Sequence, residues 1–323
     1  MMMKTLKTGM HLRGIGYALA AACMFGLGAV LAQLVGKEID ATVVAFLCLL
    51  PGGLLVAACL PLSGASLPRV LPTLTRRDWL ELFLLACPGT ALPLLLIVAG
   101  FARTSALVGG FLLQINGVAA LVFALLLLAE RVRLKQYLGI LLLLLGSTLV
   151  ILKSTQGGWS SGLSGDLLIL GGAIGIGFSF VPAKRLSQRV ATLALTALRL
   201  LLGACCLLPI VIFQLLTTAS AHSLLWQPSL VTLLWVLPCY IVTNFFLGYL
   251  SQQEGFRFIK AWEMAAIMQT VPIFSTLFAI LLLHDSLTLL QAAGGILAIL
   301  GGIVVSLNNE PQIEAPPAPE AQK

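Results

Sequence analysis

Long apolar runs recur along almost the whole chain of 323 residues and leave little room for a soluble domain. A helix needs about 20 consecutive apolar residues to cross the hydrocarbon core of a bilayer. Reading the runs between charges and turn residues predicts an all-α integral membrane protein with ten transmembrane helices. The predicted spans are 14–34, 41–60, 79–101, 104–128, 136–152, 164–183, 193–216, 229–251, 260–283 and 288–307.

The composition agrees with a chain surrounded by lipid. Apolar residues make up 59% and charged residues 10% of the sequence, and the mean hydropathy is +1.04. Soluble domains carry about 25% charged residues, so this chain could not cover a water-facing surface. The seven cysteines all lie in apolar runs without metal-ligand spacing, which predicts packing residues and no metal or cofactor.

The basic residues predict the orientation of the chain. If the N-terminus is cytoplasmic, fifteen Lys and Arg residues fall in cytoplasmic segments, and only Lys37, Arg103 and Lys153 fall in outside loops. Positive charge accumulates on the cytoplasmic side of membrane proteins. We therefore expect both termini in the cytoplasm and the chain in the cell (inner) membrane. The net charge of +7 then reflects topology and the lipid bilayer, and no nucleic-acid partner is expected.

The chain contains an internal repeat at nearly constant spacing. An offset of 155 residues matches chemically distinctive positions near the ends of the two halves, and an offset of 149 matches glycines near their starts. The first set pairs Phe123 with Phe278, Glu130 with Asp285, Gln136 with Gln291, Gly139 with Gly294 and Gly146 with Gly301. The second set pairs Gly16, Gly26 and Gly28 with Gly165, Gly175 and Gly177.

Each half contains five predicted spans, and an odd number makes the second half enter the bilayer from the opposite side. The loop charges agree, because loop 130–135 carries three basic residues whereas its counterpart 285–290 carries none. The sequence thus predicts two inverted five-helix repeats, an arrangement typical of secondary transporters. The predicted segments are a cytoplasmic N-terminal segment 1–13, a first repeat 14–152, a second repeat 164–307 and a disordered cytoplasmic tail 308–323.

An acidic helix end followed by two spaced glycines occurs once in each half, as Glu130…Gly139…Gly146 and Asp285…Gly294…Gly301. With this duplication the chain resembles the drug/metabolite transporter superfamily, specifically the EamA-like ten-helix permeases. Pro272 and Arg199 also lie where that family often has Pro and Arg, whereas the first half departs with Gly117 and Leu49, and Asp285 replaces the more usual Glu. The resemblance implies a permease for metabolites, amino acids or drugs, often moving them outward.

Polar residues at membrane depth are costly and so indicate candidate substrate contacts. Gln114 and Gln269 are equivalent in the two repeats and lie near the middle of their spans. Tyr240 and Asn244 lie one helical turn apart in the eighth span and offer a phenol and an amide. Glu263 could attract a cationic group or carry a proton, although pairing with Lys260 at the membrane interface, with Trp262 as an anchor, is the interpretation we favour.

A second set of residues is expected to act in structure or gating: Pro272, Arg199, Gly139 and Gly294. A proline in a span provides a kink or hinge, and glycines allow helices to pack closely. Arg199 could extend its long stem to the lipid headgroups or, alternatively, bind a substrate carboxylate. Glu130 and Asp285 end helices beside water, where a structural role is expected.

Three functions are open to this architecture. The first is a secondary permease, with export as the expected direction, for small organic solutes that are neutral, zwitterionic or amphiphilic. The second is a flippase for a lipid or a lipid-linked carrier. The third, an enzyme, is not expected, because the three histidines join no catalytic or metal motif and no phosphate-cradling loop is present. We expect a monomer or a homodimer with a small-molecule substrate.

Overall fold

The computed structural model describes residues 2–36, 38–63, 67–101, 103, 112–113, 115–130, 134–152, 163–217, 229–283 and 289–307. Most of the described residues are helical, and none belongs to a β-strand. The first half contains α1 (Met2–Gly36), α2 (Ala41–Cys59), α3 (Leu67–Val70), α4 (Arg76–Ala86), α5 (Leu92–Phe101), α6 (Ile115–Leu127) and α7 (Leu134–Leu152). The second half contains α8 (Leu163–Ser187), α9 (Thr192–Thr217), α10 (Leu237–Tyr240), α11 (Tyr249–Phe258), α12 (Ala261–Met268), α13 (Val271–Leu283) and α14 (Leu289–Leu307).

Seven helical stretches of the described chain are long and apolar enough to cross a membrane. They are Gly9–Ala32, Thr42–Leu62, Arg76–Ile97, Leu163–Ser187, Thr192–Gln214, Thr232–Phe258 and Ala261–Leu282. The other three predicted spans coincide with α6, α7 and α14, so the number ten remains a prediction. The predicted tail 308–323 and the segment 104–111 lie outside the described residues.

Helix α1 is longer than the first predicted span. It begins at Met2 rather than at residue 14, so the described part of the predicted N-terminal segment 1–13 is helical. Lys, Leu and Met are good helix formers, and no proline interrupts them. Hydropathy marks only the part of a helix that can lie in lipid, here Gly9–Ala32, and does not detect its polar extension.

The outer surface of the bundle is rich in large apolar side chains. Leu126, Phe213, Leu216 and Trp235 each expose between 67% and 78% of their surface. A soluble monomer rarely exposes apolar patches on this scale, whereas hydrocarbon surroundings favour them. The fold is therefore that of a multi-pass membrane protein.

The two halves of the chain interleave. Helix α1 packs against α11, α13 and the π-helical segment Ile241–Gly248, which all belong to the second half. Helix α8 packs against α5 and α6 of the first half. Helices α2 and α9 pack against each other, as do α7 and α14. Because most of these contacts join helices of different halves, each half buries its helix surfaces against the other half.

Close glycine contacts in α1 and α8 are reciprocal. A Cβ atom added at Gly26 would lie 2.5 Å from the Cβ of Phe274, and one added at Gly177 would lie 2.6 Å from the Cβ of Ala119. Phe274 and Ala119 are equivalent at the repeat offset of 155. Gly26 and Gly177, however, are 151 residues apart, so the predicted offset of 149 for this helix pair is wrong.

Further contacts support the corrected offset of 151. Gly14 approaches Phe258 as Gly165 approaches Arg103, and Gly28 approaches Asn244 as Ser179 approaches Gly89. The sequence alignment failed because α1 and α8 contain several glycines two residues apart, and glycines can then be matched in more than one register. The contacts distinguish the registers, because only an offset of 151 gives equivalent glycines of α1 and α8 equivalent neighbours in the other half.

The turns after α1 and α8 are also equivalent at an offset of 151, but they carry opposite charges. Glu38 accepts hydrogen bonds from the backbone N–H of Ser229 (2.7 Å) and from its hydroxyl (3.4 Å). The pKa of the Glu38 carboxyl lies below its ordinary value, mainly because of the hydrogen bond from the backbone N–H of Ser229. Its equivalent, Arg189, pairs with Asp78 at 3.2 Å. Each turn thus contacts the beginning of the third span of the other half.

Several spans contain breaks, as the prolines and glycines predict. Pro51, Pro182 and Pro209 lie inside α2, α8 and α9. Three π-helical segments interrupt the third and eighth predicted spans: Cys87–Ala91, Thr232–Val236 and Ile241–Gly248. The ninth predicted span is divided between α12 and α13 at Gln269 and Thr270. Such breaks release backbone groups from the helical pattern and are tolerated where protein or a cavity surrounds them.

Candidate functional site

A buried arginine links three spans in the interior of the bundle. Arg199 of α9 exposes only 3% of its surface. Its Nε donates to the hydroxyl of Thr90 at 2.8 Å, and its Nη1 donates to Oε1 of Gln252 at 3.4 Å. The centre of the guanidinium lies 4.4 Å from the centroid of the Tyr249 ring, within cation–π distance. Arg199 therefore does not extend to the headgroups, and that interpretation is wrong.

The π-helical segment Cys87–Ala91 positions the threonine partner. Its wider turn lets the hydroxyl of Thr90 donate to the carbonyl of Leu85 at 2.8 Å while it accepts from Arg199. At the same segment Gly89 approaches Ser179 of α8. Single π-helical turns occur often at functional sites because they redirect side chains without ending the helix. Sequence reasoning missed Thr90, although a buried arginine requires polar neighbours in adjacent spans.

Tyr240 and Asn244 occupy the interior of the eighth predicted span. Tyr240 is buried, and its ring packs edge-on against Phe245 with centroids 5.3 Å apart. Asn244 is half-buried beside Gly28 of α1, where an added Cβ would lie 2.4 Å from Oδ1. The segment Ile241–Gly248 is π-helical, so residues four apart do not share a face as they would in an α-helix. Both side chains are inside the bundle, and their contact with a solute remains a prediction.

Gln269 lies at the break between α12 and α13. It exposes 2% of its surface, and neither its Oε1 nor its Nε2 has a hydrogen-bond partner among the described residues. A Cβ added at Gly117 of α6 would lie 1.6 Å from that Nε2, so the glycine is needed to accommodate the amide. Gly117 is the repeat equivalent of Pro272, which follows the break. Gln114, the predicted equivalent of Gln269 in the first repeat, lies outside the described residues.

Glu263 is buried at one end of the bundle and lies away from Gln269. Gln269 directly follows the end of α12 and lies six residues after Glu263, about 9 Å along the helix axis. Glu263 exposes 4% of its surface, accepts from the backbone N–H of Lys260 at 3.3 Å and contacts Nε2 of His11 at 3.1 Å. Trp262 exposes only 1% of its surface, so it does not anchor the chain at the lipid interface. The favoured interpretation is therefore wrong for Trp262, and the side chain that contacts the Glu263 carboxylate among the described residues is that of His11 rather than that of Lys260.

The junction Ile259–Lys260, which separates α11 from α12, carries a charge on each side. Glu130 accepts hydrogen bonds from the backbone N–H groups of Ala261 (3.0 Å) and Trp262 (3.1 Å) at the start of α12. Lys184 donates to the carbonyls of Phe256 (2.8 Å) and Ile259 (2.9 Å) at the end of α11. Anions stabilise helix N-termini and cations stabilise C-termini. The structural role predicted for Glu130 is a helix cap between the halves, whereas Asp285 lies outside the described residues.

Burial raises the pKa of the Glu130 carboxyl above its ordinary value. The hydrogen bonds from Ala261 and Trp262 and the positive charge of Lys184 oppose this effect, and the negative charge of Glu263 adds to it. The carboxyl therefore takes up a proton more readily than a carboxyl in water. Together with the contact between His11 and Glu263, it connects the first half to the start of α12.

The glycines expected to support gating lie on the last helix of each half. Gly139 in α7 and Gly294 in α14 are buried, and the two helices pack against each other. Both helices also have the same bounds at the repeat offset, since Leu134–Leu152 and Leu289–Leu307 differ by 155 at each end. This geometry supports close packing, and gating by these glycines remains a prediction.

These features define a class of protein: a multi-pass helical membrane protein with two related halves and a small set of buried polar residues. The model of the EamA-like transporter family matches residues 12–152 and 163–307, once for each half. The chain belongs to the EamA-like transporter family.

Relatives agree with this assignment. An uncharacterized transporter of Methanothermobacter thermautotrophicus is 24% identical over 240 residues, which cover 73% of this chain and 66% of that protein. The match thus spans slightly less than two thirds of that relative. The uncharacterized transporter YetK of Bacillus subtilis is 26% identical over 253 residues, covering 77% of this chain and 74% of its own. A crystal structure with 18% identity and a TM-score of 0.76 shares the fold over 91% of this chain and 96% of its own.

Proposed function

We propose that this protein is a secondary permease that moves small organic solutes across the cell membrane by alternating access between its two halves. The observation that carries the proposal is the set of reciprocal contacts of α1 and α8 with equivalent positions in the opposite half. If two halves can exchange conformations, a site between them opens to one side and then to the other. Membership in a transporter family agrees with transport rather than catalysis.

The proposal includes inverted halves with both termini in the cytoplasm. Reciprocal contacts are those expected from a two-fold relation, in which position i contacts j while the equivalent of j contacts the equivalent of i. Five spans in each half would turn that relation into an inversion across the bilayer. The excess of basic residues in one set of loops supports the orientation.

The solute site is proposed between the halves, where Asn244 and Gln269 lie on elements interrupted by π-helical turns or breaks. An amide accepts and donates hydrogen bonds, so it can bind many neutral or zwitterionic solutes. The break beside Gln269 and the absence of a described partner for its amide support its place in this site. Export is the proposed direction.

Uptake by reconstituted liposomes tests the function. Purified protein would be presented with a panel of amino acids, other metabolites and dyes, with and without a pH gradient, and with a labelled lipid in parallel. We expect one or more solutes to enter protein-containing vesicles faster than protein-free vesicles. Movement of the labelled lipid without movement of any solute would overturn the proposal.

Two substitutions test the site within the same assay. Gln269→Ala and Gln114→Ala should change the apparent affinity or the rate of solute movement. Gln188→Ala is a matched control, because Gln188 donates to the backbone carbonyls of Phe256 and Arg257 at the junction end of the bundle. Unchanged transport in both test variants would remove these glutamines from the site.

A further inference from the structure

The depth of Arg199 makes its charge expensive. It is the eighth residue of α9, so it lies about 10 Å along the axis from the start of the helix, roughly a third of the way across a hydrocarbon core of about 30 Å. Arginine stays protonated in proteins. A cation at this depth is retained only if nearby groups or a ligand stabilise it.

The described neighbours of Arg199 are all neutral. They are a hydroxyl, an amide oxygen and an aromatic ring, contributed by Thr90, Gln252 and Tyr249. Within the described part of the chain no Asp or Glu lies within ion-pair distance of its guanidinium. A guanidinium has five N–H donors, and two of them form the hydrogen bonds to Thr90 and Gln252. The interior therefore contains a positive charge whose preferred partner, an oxyanion, is not supplied by these neighbours.

The arginine is also not required by the repeat architecture. At the offset of 151 found for the helix contacts, the position equivalent to Arg199 is Cys48 of α2, and the match with Leu49 made from the sequence is wrong by one residue. Cys48 is buried in the first half. The helices α2 and α9 that carry the two residues pack against each other. A residue needed only to join three spans would be expected in both halves. The charge is present in one half only, which points to a ligand.

We propose that Arg199 binds the carboxylate of the transported solute, an organic acid or zwitterion with an apolar body. This inference rests on the proposed transport function. The planar guanidinium can bind a carboxylate through two parallel hydrogen bonds. The rings of Tyr249 and Phe25, whose centroids lie 5.3 Å apart in an edge-on arrangement, form an apolar wall beside it. Because Arg199 is almost fully buried, the proposal requires the ring of Tyr249 to move aside when the solute enters.

Matched acids and amides test the proposed chemistry without any mutation. The thermal stability of the purified protein would be measured with phenylacetate and phenylacetamide, with succinate and succinamide, and with leucine and leucinamide. A ligand that binds the native state stabilises it in proportion to its occupancy. We expect a rise in melting temperature with at least one carboxylate and none with its amide.

Variants then assign the binding to Arg199. Arg199→Gln should weaken binding of the effective carboxylate about tenfold or more, because a hydrogen bond to a charged group is worth at least about 1.4 kcal/mol. Arg199→Lys keeps the charge but loses the bidentate fork, so it should weaken binding less and serves if the Gln variant does not fold. Arg257→Gln is the control, because Arg257 is half exposed on α11 and pairs with Glu254 at 3.5 Å.

Each contrary outcome has a definite meaning. The assignment is wrong if no carboxylate of the panel stabilises the protein, if the amides stabilise it equally, or if the response survives in Arg199→Gln. A purely structural arginine would lower the stability of the variant and leave the ligand response in place. Binding that requires Arg199, combined with no uptake in liposomes, would keep this assignment and overturn the proposed transport.

Discussion

Single residues at the contacts between the halves are under tight steric limits. Gly117 is the sharpest case, because the amide of Gln269 occupies the space that any side chain at position 117 would need. The amide has no described partner, so its position is fixed by packing and by the helix break. Substitutions at Gly117 and Gln269 therefore test whether the steric fit between these two residues stabilises the helix break.

Gly117→Ala should lower the free energy of unfolding by about 1 to 3 kcal/mol, the usual cost of inserting a methyl group into a packed interior. Gln269→Ala in the same chain should recover most of that loss, because it removes the amide that the new methyl group meets. Thermal unfolding of the single and double variants in detergent measures both effects. A double variant no more stable than Gly117→Ala would contradict the steric account.

At this scale the sequence indicated which polar residues lie at membrane depth and could not indicate their partners. Gln269 and Arg199 were predictable because a polar group at membrane depth needs a reason. Thr90 as the partner of Arg199 was not, because a π-helical turn is not encoded by a distinctive residue pattern and it changes which side chains face inward. The burial of Trp262 could not be read either, since tryptophan is equally common at membrane interfaces.

The helical elements are joined at the junction Ile259–Lys260 by charges from outside the two helices. Lys184 of α8 satisfies carbonyls at the end of α11, and Glu130 satisfies N–H groups at the start of α12. The last carbonyl groups and the first N–H groups of an α-helix have no hydrogen-bond partner within that helix. The short junction is therefore stabilised by residues far away in the sequence, which local propensity could not predict, although the proline and glycine positions did predict breaks in other spans.

Lys184→Met should expose the end of α11 to fraying. We expect faster amide hydrogen exchange for residues 256–260 and a loss of stability of about 1 to 2 kcal/mol, the value of a charged helix-end partner. Hydrogen exchange followed by mass spectrometry measures the local effect. Arg257→Met removes a half-exposed charge within the same segment and should leave the exchange of its neighbours unchanged. Equal effects of the two variants would rule out capping by Lys184.

Glu130→Gln should alter the pH dependence of stability. Since burial raises the pKa of Glu130 in the folded state above the ordinary 4.5, the folded chain holds this proton more tightly than the unfolded chain. Stability from this group is therefore fully present below pH 4.5 and is lost as the pH rises through the folded pKa. The variant should lack that decrease. Thermal unfolding between pH 4 and 8, compared with Glu254→Gln, measures it, and parallel curves for wild type and Glu130→Gln would refute it.

The whole molecule is organised by the relation between its halves. The repeat, its apolar spans and the family were predictable from composition and from matched positions 155 residues apart. The alignment of α1 with α8 was not, because their glycines fit two registers, and only the contacts with Phe274 and Ala119 distinguish them. Equivalent positions should then respond equivalently to mutation.

Gly26→Ala and Gly177→Ala should each lower the free energy of unfolding, by similar amounts of about 1 to 3 kcal/mol, because each added methyl group meets backbone and side chain of the opposite half. Gly16→Ala is the control, since a Cβ there meets nothing within 4 Å. Melting temperatures of the three variants provide the comparison. A large loss at one position and none at the other would argue against the equivalence.

Because the halves interleave, residues that contact each other in the folded protein are synthesised at very different times. Gly26 and Phe274 are about 250 residues apart, and a ribosome that adds about 5 to 20 residues per second needs about 12 to 50 s to reach the second after the first. Helix α1 is thus among the first elements made and among the last to be covered. During most of synthesis the glycine-lined face of α1 lacks its partner helix. The packing around α1 is complete only after the ninth predicted span has been made.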